Sequence, residues 1–407
     1  MGRLVFGLTG AFGSGCSFLA DNYFVKEFGY RKYSLSDELR AQYLEKNGQP
    51  HKTRTDLQDF GNSIRETSID ALADAVYQKI EKDDTIDREN AIQKKIQYLP
   101  SSVVIDSIRN PAEIEFFRSK FNDFILIAVF ADYDVRWTRV KEDYNNSKDT
   151  FDADEIRDQG THEPSYGQKI TSCFFQADVV ISNNKQINPV HHNDVYSEMK
   201  QQLNNYILDF SAPTKSNPLI DETYMAMAYA IGRRSKCIRR RVGAVIVDDK
   251  MCVLSTGFNA VPIGLSDCEG KYGICYRQSK RGELKEVIHG RIKKNYPEVD
   301  SKVSEDIIGM VKVLDYCRSL HAEENAILGL VGRSFNSNLN NSTLYTTTYP
   351  CNLCANKIVQ VGIKKVVYFE PYPIQEAKKI FEEANVEAKA FEGVTFRAFF
   401  RAFNYEE

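Results

Sequence analysis

The sequence predicts two α/β domains. A chain of 407 residues is long for one hydrophobic core, so two domains are the natural expectation. In both halves, short apolar runs alternate with amphipathic stretches, as strands alternate with helices in α/β proteins. Between the halves, turn-forming residues concentrate from Ser211 to Pro218 and the periodicity is lost. We therefore expect domains at 1–210 and 218–407, with a linker at 211–217.

The first half carries four apolar runs that predict the strands of a parallel sheet, separated by helical periodicity. The predicted strands are Leu4–Leu8, Val103–Asp106, Phe124–Ala131 and Val179–Ile181. The predicted helical segments are Leu57–Ile80, Ala112–Lys120 and His192–Leu208. This half should therefore form a parallel α/β sheet.

The second half repeats this alternation around one long irregular segment. Its predicted strands are Val242–Val247, Val253–Phe258, Thr343–Thr347 and Lys365–Tyr368. Its predicted helices are Leu219–Gly232, one that begins at Ala322 and one that begins at Cys351. The segment from about Pro262 to Leu320 is too long for an ordinary loop, so we expect it to be functional or separately stabilised.

Composition and charge favour a soluble protein. Hydrophobic residues make up 42% and charged residues 27%, and no apolar run approaches the length of a bilayer span. The formal net charge is -3, with basic residues dispersed among acidic ones, which weighs against binding to duplex nucleic acid. The nine cysteines lack regular disulfide spacing, so we expect a reducing compartment, the cytoplasm.

A histidine and two cysteines of the second half have the spacing of zinc ligands. Cys351 and Cys354 stand three residues apart at the start of a predicted helix, and His321 precedes another. The positive end of a helix favours thiolates, which bind zinc together with an imidazole. Glu323 follows the histidine by two residues, so it can face a bound water without being a ligand. The pattern predicts an open zinc site with Glu323 as proton carrier, the signature of zinc deaminases.

A structural zinc site is the alternative interpretation of these residues. Structural sites usually close with four protein ligands. No fourth ligand lies close in the sequence, whereas the Glu323 carboxylate stands beside His321. The pattern therefore favours catalysis.

From about Pro218 onward, the chain resembles the cytidine and deoxycytidylate deaminase family, and specifically its deoxycytidylate branch. Besides the zinc motif, three stretches carry the resemblance, and they cover most of the second domain. These stretches are Ser235–Cys237 leading into Arg241–Val247, Ser255–Asn259 and His321–Ile327. The resemblance implies a cytidine-deaminase-like α/β/α domain that hydrolyses cytosine to uracil and ammonia.

The resemblance also implies substrate contacts. Asn259 corresponds to an asparagine that contacts the nucleotide sugar, and backbone groups around Ala322 and the Pro-Cys turn hold the pyrimidine. A plain turn residue is the alternative for Asn259, but its place after a predicted strand favours the binding role. Substrate phosphates need cationic partners, and the sequence offers Arg333 and the run Arg239–Arg241 as candidates.

Some deoxycytidylate deaminases stabilise the long segment before the histidine motif with a second zinc. Four ligands are available here from five residues, namely Cys237, Cys268, Cys275, His289 and Cys317. Packed free thiols are the alternative, since buried cysteine is common. Both interpretations stay open.

A glycine-rich turn after the first predicted strand indicates a nucleotide site. Backbone amides of such a strand-to-helix loop cradle phosphates, while an acidic residue ending another strand organises Mg²⁺. The residues that predict nucleotide binding are Gly10, Gly13, Ser14, Gly15, Ser17 and Asp106. Cys16 stands where a P-loop has lysine, so we expect nucleotide binding more than phosphoryl transfer. A glycine-rich turn without a ligand is the alternative.

Charged residues after the glycine-rich turn strengthen its interpretation as a P-loop. The first half resembles nucleoside-monophosphate and dephospho-coenzyme A kinases through Ser36-Asp37 with Arg40, Arg54 with Gln58, Asp106 with Arg109, and Asp132 with Arg136 and Arg139. The resemblance implies a P-loop kinase-like parallel sheet with bound nucleotide and Mg²⁺.

Both domains together resemble bacterial anti-phage deoxycytidine-nucleotide deaminases. That resemblance implies conversion of dCTP and dCMP into dUTP and dUMP, which would deplete the dCTP that a phage needs. Cys16 in the P-loop adds the expectation that the first domain senses a regulatory nucleotide. A homo-oligomer is a further expectation from the deaminase family.

Three other functions stay open. One is a bifunctional nucleotide kinase and deaminase of pyrimidine metabolism, against which Cys16 argues. Another is a deaminase of tRNA or single-stranded DNA, but the basic segment between Arg277 and Lys294 also contains glutamates and little aromatic interleaving. The third is a nucleotide-sensing module without catalysis, which suits the first domain better than the second.

Overall fold

Two separate sheets organise the chain. The computed structural model describes residues 3–51, 53–160, 164, 166–185, 199–206, 210, 217–298, 303, 316–331, 339–370 and 375–403. The chain divides into a first unit, Met1–Glu222 with Glu392–Glu407, and a second unit, Thr223–Phe391. The C-terminal residues 392–407 thus differ from the expected division, because their strand pairs within the first unit. Residues 211–216 of the expected linker lie outside the described residues.

The sheet of the first unit is parallel apart from one edge strand. Its strands are β1 Val5–Thr9, β2 Arg31–Ser34, β3 Val103–Ile108, β4 Phe124–Phe130, β5 Val179–Ser182 and β11 Gly393–Val394. Their order is β11-β5-β4-β1-β3-β2, and only β11 runs antiparallel to its neighbour. All four predicted strands are present. The two additional strands give little sequence signal, since β2 is mostly polar and β11 has two residues.

Helices connect these strands and pack on the sheet. They are α1 Cys16–Leu19, followed by a π-helix at Ala20–Val25, α2 Leu35–Asn47, α3 Arg54–Thr67, α4 Ala71–Gln93, α5 Pro111–Lys120, α6 Tyr133–Val140, α7 Lys148–Gln159 and α8 Ile170–Phe174. Residues 199–206 are also helical, while 192–198, 207 and 208 of the predicted helix lie outside the described residues. The core beneath these helices joins Phe6, Leu8, Tyr23, Phe24 and Ile127.

The single helix predicted over Leu57–Ile80 is wrong, because the chain breaks it into α3 and α4. Ser68 leaves the helix with an extended backbone at φ -148°. Its hydroxyl donates a hydrogen bond of 2.7 Å to Asp70 Oδ1. Short polar side chains compete in this way with helical hydrogen bonds, and helical periodicity on both sides hides the interruption.

The second unit has a mixed sheet with buried central strands. Its strands are β6 Gly243–Val247, β7 Val253–Phe258, β8 Thr343–Thr346, β9 Lys365–Tyr368 and β10 Glu387–Ala390. The order is β10-β9-β8-β6-β7, with β8, β9 and β10 parallel and β6 antiparallel to both of its neighbours. Every residue of β6 and β8 is buried, as expected for strands covered on both faces.

The helices of the second unit include two in the segment that the sequence analysis treats as irregular. They are α9 Ile220–Gly232, α10 Cys268–Tyr272, α11 Tyr276–Asn295, α12 Ala322–Leu328, α13 Asn352–Gln360 and α14 Gln375–Glu383, with a 3₁₀ turn at Leu339–Asn341 and with α15 Phe399–Ala402 in the first unit. No residue of α10 or α11 is buried, so neither shows an apolar core face in the sequence. None of the described helices has the length and apolarity to cross a bilayer.

Candidate active site

Two helices of the second unit begin at one place and carry the predicted zinc ligands. His321 immediately precedes α12, and Cys351 immediately precedes α13, both with extended backbone. Cys354 lies in the first turn of α13 and is buried in the core with Ala355 and Ile358. The positive ends of both helix dipoles therefore face the donor atoms, which favours the thiolate form of the cysteines.

The spacing of the three donor atoms fits a zinc ion. His321 Nδ1 lies 3.4 Å from Cys351 Sγ and 3.3 Å from Cys354 Sγ. Tetrahedral zinc, with Zn–N of about 2.1 Å and Zn–S of about 2.3 Å, requires a separation of about 3.6 Å between these atoms. Among the described residues, this is the only group of three such donors within 4.8 Å of one another. Imidazole and two thiols form a zinc donor set that leaves a fourth position open.

Glu323 adds a buried carboxylate to this group. Its exposed fraction is 2%, and the carboxylate forms a hydrogen bond with the Cys354 thiol. Burial raises the pKa of Glu323 to about 7, against the opposing effects of its backbone hydrogen bond and of His321. Hydrogen bonding with Cys354 lowers the pKa of Cys351 to about 4, whereas the pKa of Cys354 is raised. These shifts favour a thiolate at Cys351 and a carboxyl group at Glu323 that can gain and lose a proton near neutral pH.

The end of β7 fixes the position of His321. Ala260 and Leu320 exchange two backbone hydrogen bonds, of 3.2 and 2.9 Å, just before the histidine. Asn325 Nδ2 then donates 2.8 Å to the carbonyl of Phe258, which ties the next turn of α12 to the same strand. The helix that carries Glu323 is therefore anchored on both sides of that residue.

Gly257 allows α12 to approach β7 closely. A Cβ atom at this position would lie 2.1 Å from the carbonyl oxygen of Ala322 and 2.3 Å from the amide nitrogen of Ala326. Both are backbone atoms, so they could not move without moving the helix. Glycine is required here by close approach, because its φ lies outside the left-handed region.

An ion pair between the two ligand-bearing helices escaped the sequence analysis. Glu324 accepts 2.7 Å from Lys357 Nζ on α13 and 3.3 Å from the backbone nitrogen of His321. Its carboxylate therefore caps α12 and links that helix to α13. A glutamate three residues after an N-cap position is a known capping signal, so the cap was detectable from sequence, but the lysine was not.

Comparison with known proteins assigns this arrangement to a family. Residues 219–370 match the cytidine and deoxycytidylate deaminase zinc-binding region. Deoxycytidylate deaminase of Mycobacterium phage D29 is 34% identical over 153 residues, which are 38% of this chain and 96% of the phage enzyme. The chain belongs to the cytidine and deoxycytidylate deaminase family. Its candidate zinc ligands and Glu323 all lie within the matched region.

Larger relatives share only part of their length with this family member. Deoxycytidylate deaminase of Schizosaccharomyces pombe is 34% identical over 185 residues, 45% of this chain and 47% of the yeast enzyme. The chain thus spans about half the length of that relative. The solved dCMP deaminase of cyanophage S-TIM5, in complex with dCMP and dUMP, is 24% identical and aligns over 43% of this chain and 99% of its own, with a TM-score of 0.29.

The side chain of Asn259 supports the loop before β6. Its Oδ1 accepts 2.8 Å from the backbone nitrogen of Val242, and its Nδ2 donates 2.8 Å to the carbonyl of Arg240. Its own carbonyl accepts 2.7 Å from Ser235 Oγ. Asn259 therefore orders a loop rich in arginine, and its contact with the sugar stays a prediction. Ala322, also predicted to contact substrate, is fully buried at the start of α12, and Arg333 lies outside the described residues.

The five candidate ligands of a second metal do not form a compact group like that of His321, Cys351 and Cys354. None belongs to a set of three donors within 4.8 Å among the described residues. Burial raises the pKa of the Cys317 thiol, and the nearby thiols of Cys237 and Cys275 raise it further. Three of the candidates, Cys237, Cys275 and Cys317, are therefore close enough to interact. A second zinc stays a prediction.

The glycine-rich loop of the first unit bends between β1 and α1. Gly13 and Gly15 have φ of +80° and +101°, so the backbone needs glycine at both positions. A Cβ on Gly10 would lie 2.5 Å from Ser14 Oγ, which shows how tightly the loop folds. Ser17 Oγ donates 2.6 Å to Asp106 Oδ2 in β3, two residues before that strand ends. The structure thus brings together loop and acidic residue, as the sequence analysis expected for a nucleotide site.

Proposed function

We propose that this chain deaminates free deoxycytidine nucleotides, converting dCTP and dCMP into dUTP and dUMP with release of ammonia. The observation that carries the proposal is the buried Glu323 carboxylate beside three donors, His321, Cys351 and Cys354, whose spacing suits zinc with an open position. The names of the similar deoxycytidylate deaminases support the choice of substrate class.

The proposed reaction replaces the amino group at C4 of cytosine by oxygen from water. Bound zinc supplies a Lewis acid that activates water at neutral pH. Glu323 accepts one proton from the attacking water and delivers it to N3. It then accepts the second proton from the new C4 hydroxyl and delivers it to the departing amine. The C4–N bond then breaks and ammonia leaves. Because Glu323 is buried, few bulk water molecules compete for these protons.

Substitution of Glu323→Gln tests the proposal. The variant should keep its zinc, because Glu323 is not among the three donors, and should lose about 10³-fold or more in kcat. Activity on deoxycytidine, dCMP, dCTP and CTP is followed by ammonia release, and zinc is measured by elemental analysis. Glu376→Gln, an exposed position on α14, is the matched control. Undiminished activity of Glu323→Gln would contradict the assignment.

A basic cavity before β6 suits the substrate phosphates. The cavity of about 500 Å³ is lined by four cationic residues and by the acidic residues Asp267 and Glu269. The cationic residues are Arg233, Arg234, Lys236 and Arg241. Ser235 also lines the cavity and donates its hydroxyl to the carbonyl of Asn259, the residue before Ala260, which pairs with Leu320 next to His321. We therefore favour this cavity for the phosphate groups.

Of the three consecutive arginines that the sequence predicted as phosphate contacts, only Arg241 lines the cavity. Arg239 donates 2.6 Å to Gln278 and Arg240 forms an ion pair of 2.7 Å with Glu370, whereas Arg241 lines the cavity. Arg241→Met should therefore raise KM for dCTP and dCMP by about tenfold, the loss of one charge-assisted hydrogen bond. Deoxycytidine, which lacks phosphate, should be turned over unchanged. Arg239→Met is the control, and an equal effect of both variants would contradict the site.

The first unit is proposed to bind a regulatory nucleotide with Mg²⁺. Asp106 is 2% exposed, and its Oδ1 atom has no hydrogen-bond partner among the described residues. A buried carboxylate oxygen beside the Ser17 hydroxyl suits a hard cation that prefers oxygen ligands. When bound, Mg²⁺ would neutralise phosphate charge at the loop. Calorimetric titration of the full chain with ATP or GTP and Mg²⁺ tests this binding, and Asp106→Asn should abolish it.

The proposed biological role is defence against phage through depletion of dCTP. It is supported by the combination of a glycine-rich nucleotide loop with a deaminase site in one chain. Expression of the wild type, but not of Glu323→Gln, should lower cellular dCTP and phage yield.

Three further experiments address the other open expectations. A phosphate-transfer assay with ATP and dCMP tests the bifunctional alternative, and sedimentation tests the expected homo-oligomer. Two zinc ions per chain would support the second metal site, and one would contradict it.

A further inference from the structure

The loop of the first unit lacks its own cation. Cys16 occupies the position that holds lysine in a P-loop, and its sulfur lies 3.5 Å from Ser14 Oγ. Burial, and then the neighbouring Asp106 carboxylate, raise the pKa of this thiol to about 12. The side chain is therefore neutral at physiological pH. Bound nucleotide phosphates carry several negative charges, so a loop without a cation would need one from elsewhere.

Arg136 and Arg139 each donate 3.2 Å to a carbonyl of the loop, at Phe12 and Gly13. Two further cations, Arg109 and Lys32, lie near Cys16 and Asp106, and they differ in how firmly they are held. Arg109 donates 3.2 Å to Asp158, which is buried and also accepts 2.6 Å from Arg54. Lys32 instead pairs at 2.8 Å with Asp21, whose side chain is 52% exposed. An ion pair with an exposed carboxylate is weak, so Lys32 can exchange it for a phosphate at little cost, unlike Arg109.

The sheet brings Lys32 to the cation site from an adjacent strand. Strand β2 runs parallel to β3, with Lys32 opposite Val104 and Ser34 opposite Asp106. Side chains alternate along strands, so Lys32 projects from the same face as Asp106. Its Nζ atom lies 4.0 Å from Asp106 Oδ2, the oxygen that accepts the hydrogen bond from Ser17. The ammonium thus stands beside the acidic group that faces the loop.

We propose that Lys32 supplies the phosphate-binding cation that the loop lacks at Cys16. The inference rests on the proposed binding of a nucleotide by the first unit. On binding, the Lys32 ammonium leaves Asp21 and contacts a terminal phosphate oxygen, next to Mg²⁺ at Asp106. Lysine suits this role because four flexible methylene groups carry a compact charge with three donors.

The decisive experiment compares nucleotide binding by lysine variants of the full chain. Lys32→Met should weaken binding of Mg-ATP or Mg-GTP at least about tenfold in Kd, as for loss of a hydrogen bond between charged groups. Lys26→Met is the matched control, because Lys26 lies on the surface and donates its hydrogen bond to Asn22. Unchanged binding by Lys32→Met would overturn the inference while leaving nucleotide binding intact.

Two further variants separate phosphate binding from a structural role. Asp21→Asn removes the ion pair but keeps the ammonium, so it should bind nucleotide as well as the wild type or better. Cys16→Lys in the Lys32→Met background returns a cation to the loop and should restore binding. Loss of binding in Asp21→Asn equal to that in Lys32→Met, or failure of the rescue in a folded protein, would overturn the inference. Absence of binding by the wild type itself would instead refute the proposed nucleotide site.

Discussion

The two candidate sites of this chain differ in the kind of secondary structure that brings their functional residues together. In the second unit, His321, Glu323 and the two cysteines all lie at the first turns of two helices. In the first unit, the glycine-rich loop and the start of α1 supply the glycines and Ser17, whereas the carboxylate comes from β3 and the Lys32 ammonium beside it from β2. Short sequence motifs therefore contain all the candidate zinc ligands and Glu323, but only part of the proposed nucleotide site.

This difference has a physical cause. The start of a helix orients neighbouring side chains by itself and supplies a positive dipole, so the ligand pattern carries its own geometry. A parallel sheet instead brings together residues from strands that are far apart in sequence. Substitutions in the two units should accordingly fail in different ways, and they provide tests of the comparison.

Removal of a zinc ligand should have the largest effect. Cys354→Ser leaves two of three donors, so we expect loss of zinc and a fall in deamination of more than a hundredfold, beyond the roughly 10–100-fold cost of altering outer-shell partners. Zinc content and kcat are measured on the same preparation. Cys252→Ser, an exposed thiol, should change neither. Retention of stoichiometric zinc by Cys354→Ser would show that the site has other ligands.

The sequence predicts the candidate zinc ligands and Glu323 better than it predicts the contacts that hold their helices together. His321, Cys351, Cys354 and Glu323 come together as their spacing indicates. The partner of Glu324 was not predictable, because Lys357 follows it by 33 residues and meets it only when α12 and α13 adjoin. Contacts between elements depend on packing, which local periodicity does not encode.

The strands and helices show the same limit of prediction from local sequence. Long apolar strands such as β4 are evident from sequence because every one of their residues is buried. Strand β2 has no fully buried residue and β11 contains two residues, so pairing alone defines them. The break at Ser68 was missed for a local reason, since one hydroxyl interrupts a periodic pattern.

Within the first unit, Arg65→Met should cost about 3–5 kcal/mol, the penalty for leaving a buried carboxylate without its partner. Arg65 donates 2.9 and 2.8 Å to Glu113 Oε1, and the exposed fractions of their side chains are 2% and 0%. The single tryptophan, Trp137, lies in this unit and reports its unfolding in urea by fluorescence. Arg40→Met breaks an exposed ion pair and is the control.

Zinc content distinguishes the units in this experiment. If the charge network of the first unit is independent of the metal site, Arg65→Met should lower the unfolding midpoint reported by Trp137 and leave zinc stoichiometry unchanged. Simultaneous loss of zinc would contradict the separation of the two sites. A shift no larger than that of Arg40→Met would contradict the energetic role of the buried pair.

Gly257→Ala should disturb catalysis more than metal binding. The added Cβ would meet the backbone of α12 at Ala322 and Ala326, so overpacking should cost about 1–3 kcal/mol. A displaced α12 also moves Glu323, and misplacement of a catalytic group by about 1 Å can cost about a hundredfold in rate. We expect lower kcat with zinc retained. Gly282→Ala, where no atom of the described residues lies within 4 Å, should leave kcat unchanged.

The smallest effect should follow from Lys357→Met. The pair with Glu324 is partly exposed, at 44% and 20% of the two side chains, so its loss should cost less than about 1 kcal/mol. Glu324→Gln should cost more, because it weakens both that pair and the cap on the His321 backbone nitrogen. The urea concentration at which zinc is released to a chromophoric chelator measures both changes. Equal midpoints for the two variants would mean that Glu324 acts through Lys357 alone, and that the start of α12 holds His321 without its carboxylate cap.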